Sequence, residues 1–344
     1  MIATDESPAH AAQVTVVIPT WNGMGVLPQC LAGVGRLVGT QLRVIVVDDA
    51  SDDGTADWLA VRHPDVLVIK QPTRRGFASA VNAGLRRSST PYVALLNNDA
   101  VPEPRWLEAS IQTLEASPTY GVCVPRITYA DAPTTINSVG LYLRWYGASG
   151  DIGIGKPDGS TYDQRAEVFG FTGCAVVFRS HALEAVGMLD EWLEAYCEDL
   201  DWTLRARAVG IRFVYCPDAR VRHRGSATFR RIPDRAVFLQ CRNSVVVLAR
   251  HVPFRSALRS ALGLAAFHIY HVAVNVARGQ GLSAMRGKIA GIRHALSRAP
   301  SGAGAVPLRV GDSLLHEDPL RSGPPFRVIE RPTEMVTPHV NLRS

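Results

Sequence analysis

The chain has 344 residues, of which 47% are hydrophobic and 20% charged, and a formal net charge of +6. That balance excludes a largely disordered chain and suits a soluble globular protein with one large core or two modest ones. Six scattered cysteines (Cys30, Cys123, Cys174, Cys197, Cys216 and Cys241) form no C-x-x-C pair, which argues against a zinc site or a disulfide framework and makes a reducing cytoplasm the default compartment.

Residues 1–12 carry acids where a signal peptide would carry bases, and no apolar segment follows, so they read as a disordered lead-in. Apolar runs then alternate with helical patterns: strand 14–18, helix 25–37, strand 42–47, helix 55–62, strand 66–70, helix 77–86, strand 92–96. Alternation at this spacing predicts βαβ units and a mostly parallel, Rossmann-like α/β sheet flanked by helices. Right-handed crossovers bring the carboxyl ends of the first, second and fourth strands to one crevice. Gly23 and Gly25 after the first strand, with Asp48 and Asp49 about 20 residues on, come close to a dinucleotide fingerprint. Pro28 stands where its third glycine belongs. Farther along come a Gly/Asp-rich stretch at 151–160, a strand at 174–178, helices ended by Gly187 and Gly210, a strand R-F-V-Y-C-P, a helical region over 236–300 and a Pro/Gly-rich tail over 301–344.

Four groups of residues can carry chemistry. Asp48 and Asp49, at the end of the second strand, can accept hydrogen bonds from a ribose or a base; turn capping is the plainer role for such a pair. Asn97, Asn98 and Asp99 end the fourth strand and offer hard oxygen ligands suited to Mg²⁺ or Mn²⁺ beside a diphosphate, or an Asx turn. Glu198, Asp199 and Asp201 open a helix, where acids either complement the dipole or supply a general base. In A-R-V-R-H-R, Val221 and His223 share one strand face and Arg222 and Arg224 the other. With Arg220, Arg230 and Arg231 nearby, phosphate or metal contact becomes a role for His223.

In order along the chain, V-V-I-P-T-W-N, V-V-D-D-A-S-D-D-G-T, R-G-F-A-S-A-V-N-A-G, L-L-N-N-D, G-C-A-V-V-F-R with E-A-V-G-M-L-D-E, E-D-L-D-W-T-L-R and R-H-R-G-S resemble the inverting family 2 glycosyltransferases of GT-A fold. N-N-D in place of D-x-D, and R-N-S-V-V-V-L-A-R-H-V-P, look most like a rhamnosyltransferase-like branch. The resemblance implies a catalytic domain over 13–252 in which Pro19, Thr20 and Trp21 line the nucleotide pocket and Asp49, with Asp48, holds base or ribose. Arg75 and Asn82 border that pocket. Asp99 matches the metal-binding carboxylate and His223 the residue that completes the metal shell, while Asn97 replaces the first carboxylate. Asp199, beside Glu198, matches the catalytic base, and Gly173, Asp201 and Trp202 fall on the acceptor side. The implied partners are a nucleoside-diphosphate sugar, a glycan or polyprenyl-linked acceptor, and Mg²⁺ or Mn²⁺. A nicotinamide-dependent oxidoreductase and a non-catalytic sugar-nucleotide or glycan-binding relative are the competing classes.

Residues 253–300 form a helical extension. From residue 251 there are 12 Lys and Arg against 5 Asp and Glu, a basicity that favours an anionic membrane surface over nucleic acid, for which no motif is present. No acid or base occurs from Ser260 to Ala277, yet His268, His271, Asn275 and Arg278 make one polar stripe. A membrane span does not carry such a stripe without partners. The helix is therefore expected to lie in a membrane interface or pack on the protein, which places the chain in the cytoplasm, peripheral to the inner membrane face.

Overall fold

The computed structural model describes residues 12–144, 146–225, 232–252, 257–258, 260–297 and 327–328. The expected lead-in and tail fall almost wholly outside these residues, as do Arg230 and Arg231. The chain runs β1 (Ala12–Thr20), α1 (Leu27–Val34), β2 (Thr40–Asp48), α2 (Thr55–Arg62), β3 (Leu67–Lys70), α3 (Phe77–Leu85) and β4 (Tyr92–Leu96). It continues through β5 (Ala100–Pro102), α4 (Trp106–Glu115), β6 (Tyr120–Tyr129), β7 (Ile136–Ser138), β8 (Leu141–Leu143), β9 (Ser149–Asp151), β10 (Ala166–Val168), β11 (Ala175–Arg179) and α5 (Ser180–Val186). Then follow α6 (Glu198–Ala208), β12 (Arg212–His223), α7 (Pro233–His251), α8 (Ala261–Ala277), α9 (Gly281–Ser297) and β13 (Arg327–Val328).

The predicted βαβ alternation forms a parallel sheet in the order β3-β2-β1-β4. Val14, Val16, Val17 and Ile18 of β1 are all buried, because a central parallel strand is covered by helices on both faces and reads as a continuous apolar run. Beyond β4 the sheet becomes mixed, since β11 runs antiparallel to both β4 and β6. This reversal sets Ala175 opposite Leu96, so the start of β11 lies beside the end of β4. The segments 212–217 and 220–223 belong to one long strand, β12, with a register shift between Cys216 and Arg220. After that shift, His223 pairs with Ala100 of β5, which carries it next to Asp99.

Close approach explains one glycine of R-G-F-A-S-A-V-N-A-G. A Cβ on Gly84 would stand 2.4 Å from Val17 Cγ1, so α3 reaches β1 only because that position has no side chain.

Helices α7, α8 and α9 form a bundle at the C-terminal side. A Cβ on Gly287 or Gly291 of α9 would meet the carbonyl oxygens of Phe238 and Arg242 at 2.4 and 2.6 Å. The polar stripe of α8 turns inward to meet Lys288 of α9. Lys288 Nζ donates to Ser244 Oγ at 2.9 Å, to His268 Nδ1 at 2.9 Å and to His271 Nδ1 at 3.4 Å. Burial, aided by the ammonium, holds both imidazole pKa values down to about 4, so the rings are neutral and can accept. Arg278, the fourth member of the stripe, is exposed.

Gly84→Ala gains about 1 kcal/mol of helix propensity but overpacks β1, which typically costs about 1–3 kcal/mol. The expected outcome is a lower melting temperature, read by thermal unfolding.

Candidate active site

The carboxyl ends of β1, β2 and β4 open into a cavity of about 520 Å³, within the range of small-molecule sites. Pro19, Thr20, Trp21, Asp49, Arg74 and Arg75 line it from the first three βα units; Asn97, Asn98 and Asp99 line it from the end of β4. The guanidinium of Arg74 lies over the Trp21 ring, 3.5 Å from its centroid. Asp49 accepts hydrogen bonds from the N–H groups of Arg75 at 2.7 Å and Gly76 at 2.8 Å, which fold the loop before α3 onto the cavity wall. Burial raises the Asp49 pKa and these two bonds oppose the rise.

Asp48 takes the plainer role. Its Oδ1 accepts from the Ser51 N–H at 3.0 Å and from the Ser51 hydroxyl, so it caps the turn and does not line the cavity. Asn82 is likewise not at the pocket border. Its amide donates to Leu189 O and Glu191 Oε1 and accepts from the Leu189 N–H at 3.0 Å, pinning α3 to a distant loop. Gly23 is small for a reason unrelated to a pyrophosphate: a Cβ there would stand 2.2 Å from Thr20 Oγ1.

Asn98 donates to Thr20 Oγ1 at 2.8 Å, tying β4 to β1. His223 Nδ1 lies 3.0 Å from Asn137 Oδ1, which fixes the tautomer with the proton on Nδ1. Its buried Nε2 makes no hydrogen bond and sits 3.2 Å from Asp99 Oδ1. Burial pulls the His223 pKa down, but Cys174 and Asp99 outweigh it and raise it well above its ordinary value, which favours a proton on Nε2 toward Asp99. A cation would take that proton's place, between a nitrogen and a carboxylate oxygen that fit Mn²⁺ well and Mg²⁺ through the oxygen. Among the described residues no group of three or more His, Cys, Asp or Glu could hold a metal, so a cation here needs further oxygens from a ligand.

Asp199 and Glu198 form the first turn of α6 and both line the cavity. Asp199 Oδ2 accepts from the Gly173 N–H at 3.0 Å and Oδ1 from the Leu200 N–H at 2.8 Å. Gly173 lines the cavity as well and acts through its backbone. Burial raises the pKa of both carboxyls, Glu198 well above its ordinary value because Asp199 adds repulsion. Glu198 Oε2 is buried without a hydrogen bond.

Asp201 and Trp202 correct the expected acceptor side, since neither lines the cavity. Asp201 bonds His251 at 2.7 Å and Arg205 at 2.9 Å, and these partners hold its pKa below the usual range despite burial. Trp202 lies in the core among Phe171, Phe178 and Phe213. Helical spacing is the reason: the start of α6 puts Glu198, Asp199 and Leu200 on the cavity and turns Asp201 and Trp202 into the protein.

Five contributors carry no sequence pattern that marks their part in the site. Arg74 and Asn137 sit in loop or short-strand positions with no periodic signal. Asp151 lines the cavity from β9; burial pushes its carboxyl pKa up to about 6, and its Oδ1 has no hydrogen-bond partner. The Gly/Asp-rich composition of 151–160 was its only trace. Asn243 of α7 is fully buried and donates to the carbonyls of Leu193, Ala195 and Tyr196, each at 2.8 Å. Its neighbour Arg242 donates to Trp192 O, Leu193 O and Glu194 Oε1.

Residues 15–187, half of the chain, match the family model described as Glycosyl transferase family 2. The chain belongs to that family, which sets aside the oxidoreductase reading of the opening glycines. It is 32% identical over 219 residues to the pre-mycofactocin glycosyltransferase of Mycobacterium tuberculosis, covering 63% of this chain and 43% of that protein. It is 26% identical over 237 residues to probable glucomannan 4-beta-mannosyltransferase 1 of Arabidopsis thaliana, covering 65% of this chain and 41% of that protein. The chain therefore spans less than half the length of these curated relatives. The mannosyltransferase PcManGT from Pyrobaculum calidifontis, solved with GDP-Man and Mn²⁺, superposes with a TM-score of 0.51 at 20% identity over 90% of this chain and 81% of that one. This is a likeness of GT-A fold.

Two outcomes follow from the geometry. Glu198→Gln removes a carboxyl whose folded pKa is raised, so it should stabilise the protein at neutral pH. That gain should vanish below the unfolded pKa of about 4.3, where glutamate is protonated in both states; melting curves across pH read it. Asn243→Ala leaves buried carbonyls unmet and should cost about 2–3 kcal/mol, measured by chemical denaturation.

Proposed function

We propose that this protein is an inverting glycosyltransferase that moves a sugar from a nucleoside-diphosphate donor to a hydroxyl of a glycan or polyprenyl-linked acceptor. The observation that carries the reading is the convergence on one cavity of Asp99 and the Glu198–Asp199 turn, with His223 set behind Asp99, its Nε2 3.2 Å from Asp99 Oδ1. Asp49, Trp21 and the loop at Arg74 and Arg75 receive the nucleoside, and the arginines also offer positive charge to phosphate. Asp99, with His223 behind it, would hold Mg²⁺ or Mn²⁺, and a bound cation would neutralise charge on the leaving diphosphate. The glycosyltransferase relatives, and the likeness in fold to a mannosyltransferase solved with GDP-Man and Mn²⁺, support this assignment.

Asp199 takes the proton from the acceptor hydroxyl as its oxygen attacks the anomeric carbon. The bond from that carbon to the diphosphate oxygen breaks on the opposite face, and its electron pair leaves with the nucleoside diphosphate. One displacement inverts the anomeric centre and needs no carboxylate nucleophile. Burial suits Asp199 to the task, because a raised pKa makes a carboxylate a stronger base. Glu198, held neutral beside it, adds no second negative charge. Asp151 supplies an acceptor oxygen for a sugar hydroxyl.

L-Rhamnose is the donor sugar favoured by the N-N-D and R-N-S-V-V-V-L-A-R-H-V-P segments, with mannose next, as the names of relatives suggest. A thermal-shift panel of UDP-, GDP- and dTDP-sugars with and without Mn²⁺ discriminates among them.

Asp199→Asn should lower turnover about 10²–10⁴-fold and leave nucleoside-diphosphate binding, followed by thermal shift, nearly unchanged. Because the base must be ionised, wild-type turnover should fall with acidification at a pH above the usual aspartate range. Full turnover in the variant removes Asp199 from the base role, and binding without turnover in the wild type favours a non-catalytic relative.

A further inference from the structure

We infer that α8 and α9 form a docking surface for an anionic lipid bilayer, entered from one side and not crossed. The polarity of α8 is inverted relative to a helix packed on a soluble protein. His268, His271 and Asn275 face inward around Lys288 and Ser244, while the outward face is apolar. Leu262, Ile269 and Val276 repeat every seven residues and are 89%, 70% and 55% exposed, with Tyr270 at 68% beside them.

Helix α9 repeats the arrangement. Ala284, Gly287, Lys288 and Gly291 are buried, whereas Leu282, Met285, Ile289, Ile292 and Leu296 stand at i, i+3, i+7, i+10 and i+14 and are all exposed. Single exposed apolar residues are ordinary. Two adjacent helices that each turn a full stripe outward mark an interaction surface.

Charge selects the occupant. No Asp or Glu occurs between Asp234 and Asp312, a stretch that holds eleven Lys and Arg. Arg278, Arg286 and Arg293 are exposed, and Arg286 and Arg293 directly follow Met285 and Ile292 of the apolar stripe. Basic side chains rimming an apolar helix face complement anionic headgroups above acyl chains. A second copy of the same face would instead bring like charges together. Among the described residues no helix is long and apolar enough to cross a membrane, and Tyr270 suits the headgroup level.

The test is flotation of the full chain with vesicles of phosphatidylcholine alone or mixed with phosphatidylglycerol, and it does not depend on turnover. The protein should float with the mixed vesicles and stay behind with phosphatidylcholine. Ile269→Glu with Ile289→Glu should cut the floated fraction by about tenfold or more, and Arg286→Gln or Arg293→Gln by about fivefold each in partition. Circular dichroism and melting curves should match the parent, as all four side chains are exposed. Should the isoleucine pair misfold, the arginine variants read the same face. A parent that ignores mixed vesicles overturns the inference, and so does a parent dimer that the isoleucine variants dissociate without any vesicle binding. Equal flotation of parent and variants also overturns it.

Discussion

The site depends on a clamp from α7 onto the segment that precedes α6. Glu194, Tyr196 and Cys197 have φ values of 62°, 66° and 64°, a left-handed backbone that non-glycine residues adopt only at a cost. Asn243 and Arg242 offset that cost by donating to the carbonyls of Trp192, Leu193, Ala195 and Tyr196. Because the segment coils in this way, α6 begins at Glu198 and its first turn points into the cavity. The N–H groups of Gly173 and Leu200 then fix both oxygens of Asp199. Further along α7, Arg250 and His251 hold Asp190 and Asp201, so one helix braces both flanks of the Glu198–Asp199 turn.

A comparable chain of causes positions the metal donors. β11 reverses the sheet direction beside β4, and the Asn97 N–H donates to Cys174 O at 2.8 Å. That bond ends β4 where Asp99 must turn toward the crevice. The register shift in β12 then sets His223 opposite β5, and Asn137 fixes its tautomer. Asp99 and His223 meet because β4 and β12, which run in the same direction, end at the edge where antiparallel β11 begins.

Much of this was legible in the chain. The βαβ alternation gave the strands and helices of the first hundred residues, since a buried parallel sheet imposes long apolar runs that survive in the sequence. Asp49, Asp99, Glu198, Asp199 and His223 stood out because each ends an apolar strand or opens a helix. What failed to show was direction. Asp48 and Asp49 are adjacent, and only the turn at Ser51 decides which one faces the cavity. Asp201 and Trp202 follow Asp199 by two and three residues, and helical rotation takes them into the core. Asn137 and Asp151 come from short strands between β6 and β11, where hydrogen bonding with remote segments sets the path and no period marks it. The stripe on α8 was visible, but its partner Lys288 lies one helix later, so the side it faces is a tertiary fact.

The R-N-S segment also bears on modularity. The family match ends at residue 187, whereas Asp199, His223 and the clamp of Arg242 and Asn243 all lie beyond it. The nucleotide-facing half is therefore not a portable cassette. A chimera that joined it to another relative's acceptor half would need to import α7 together with the loop it shapes, since the two have been fitted to each other residue by residue. Recombination between relatives is constrained to crossover points before the loop or after α7, since that helix both braces the loop and lines the cavity through Arg235, Leu239 and Gln240.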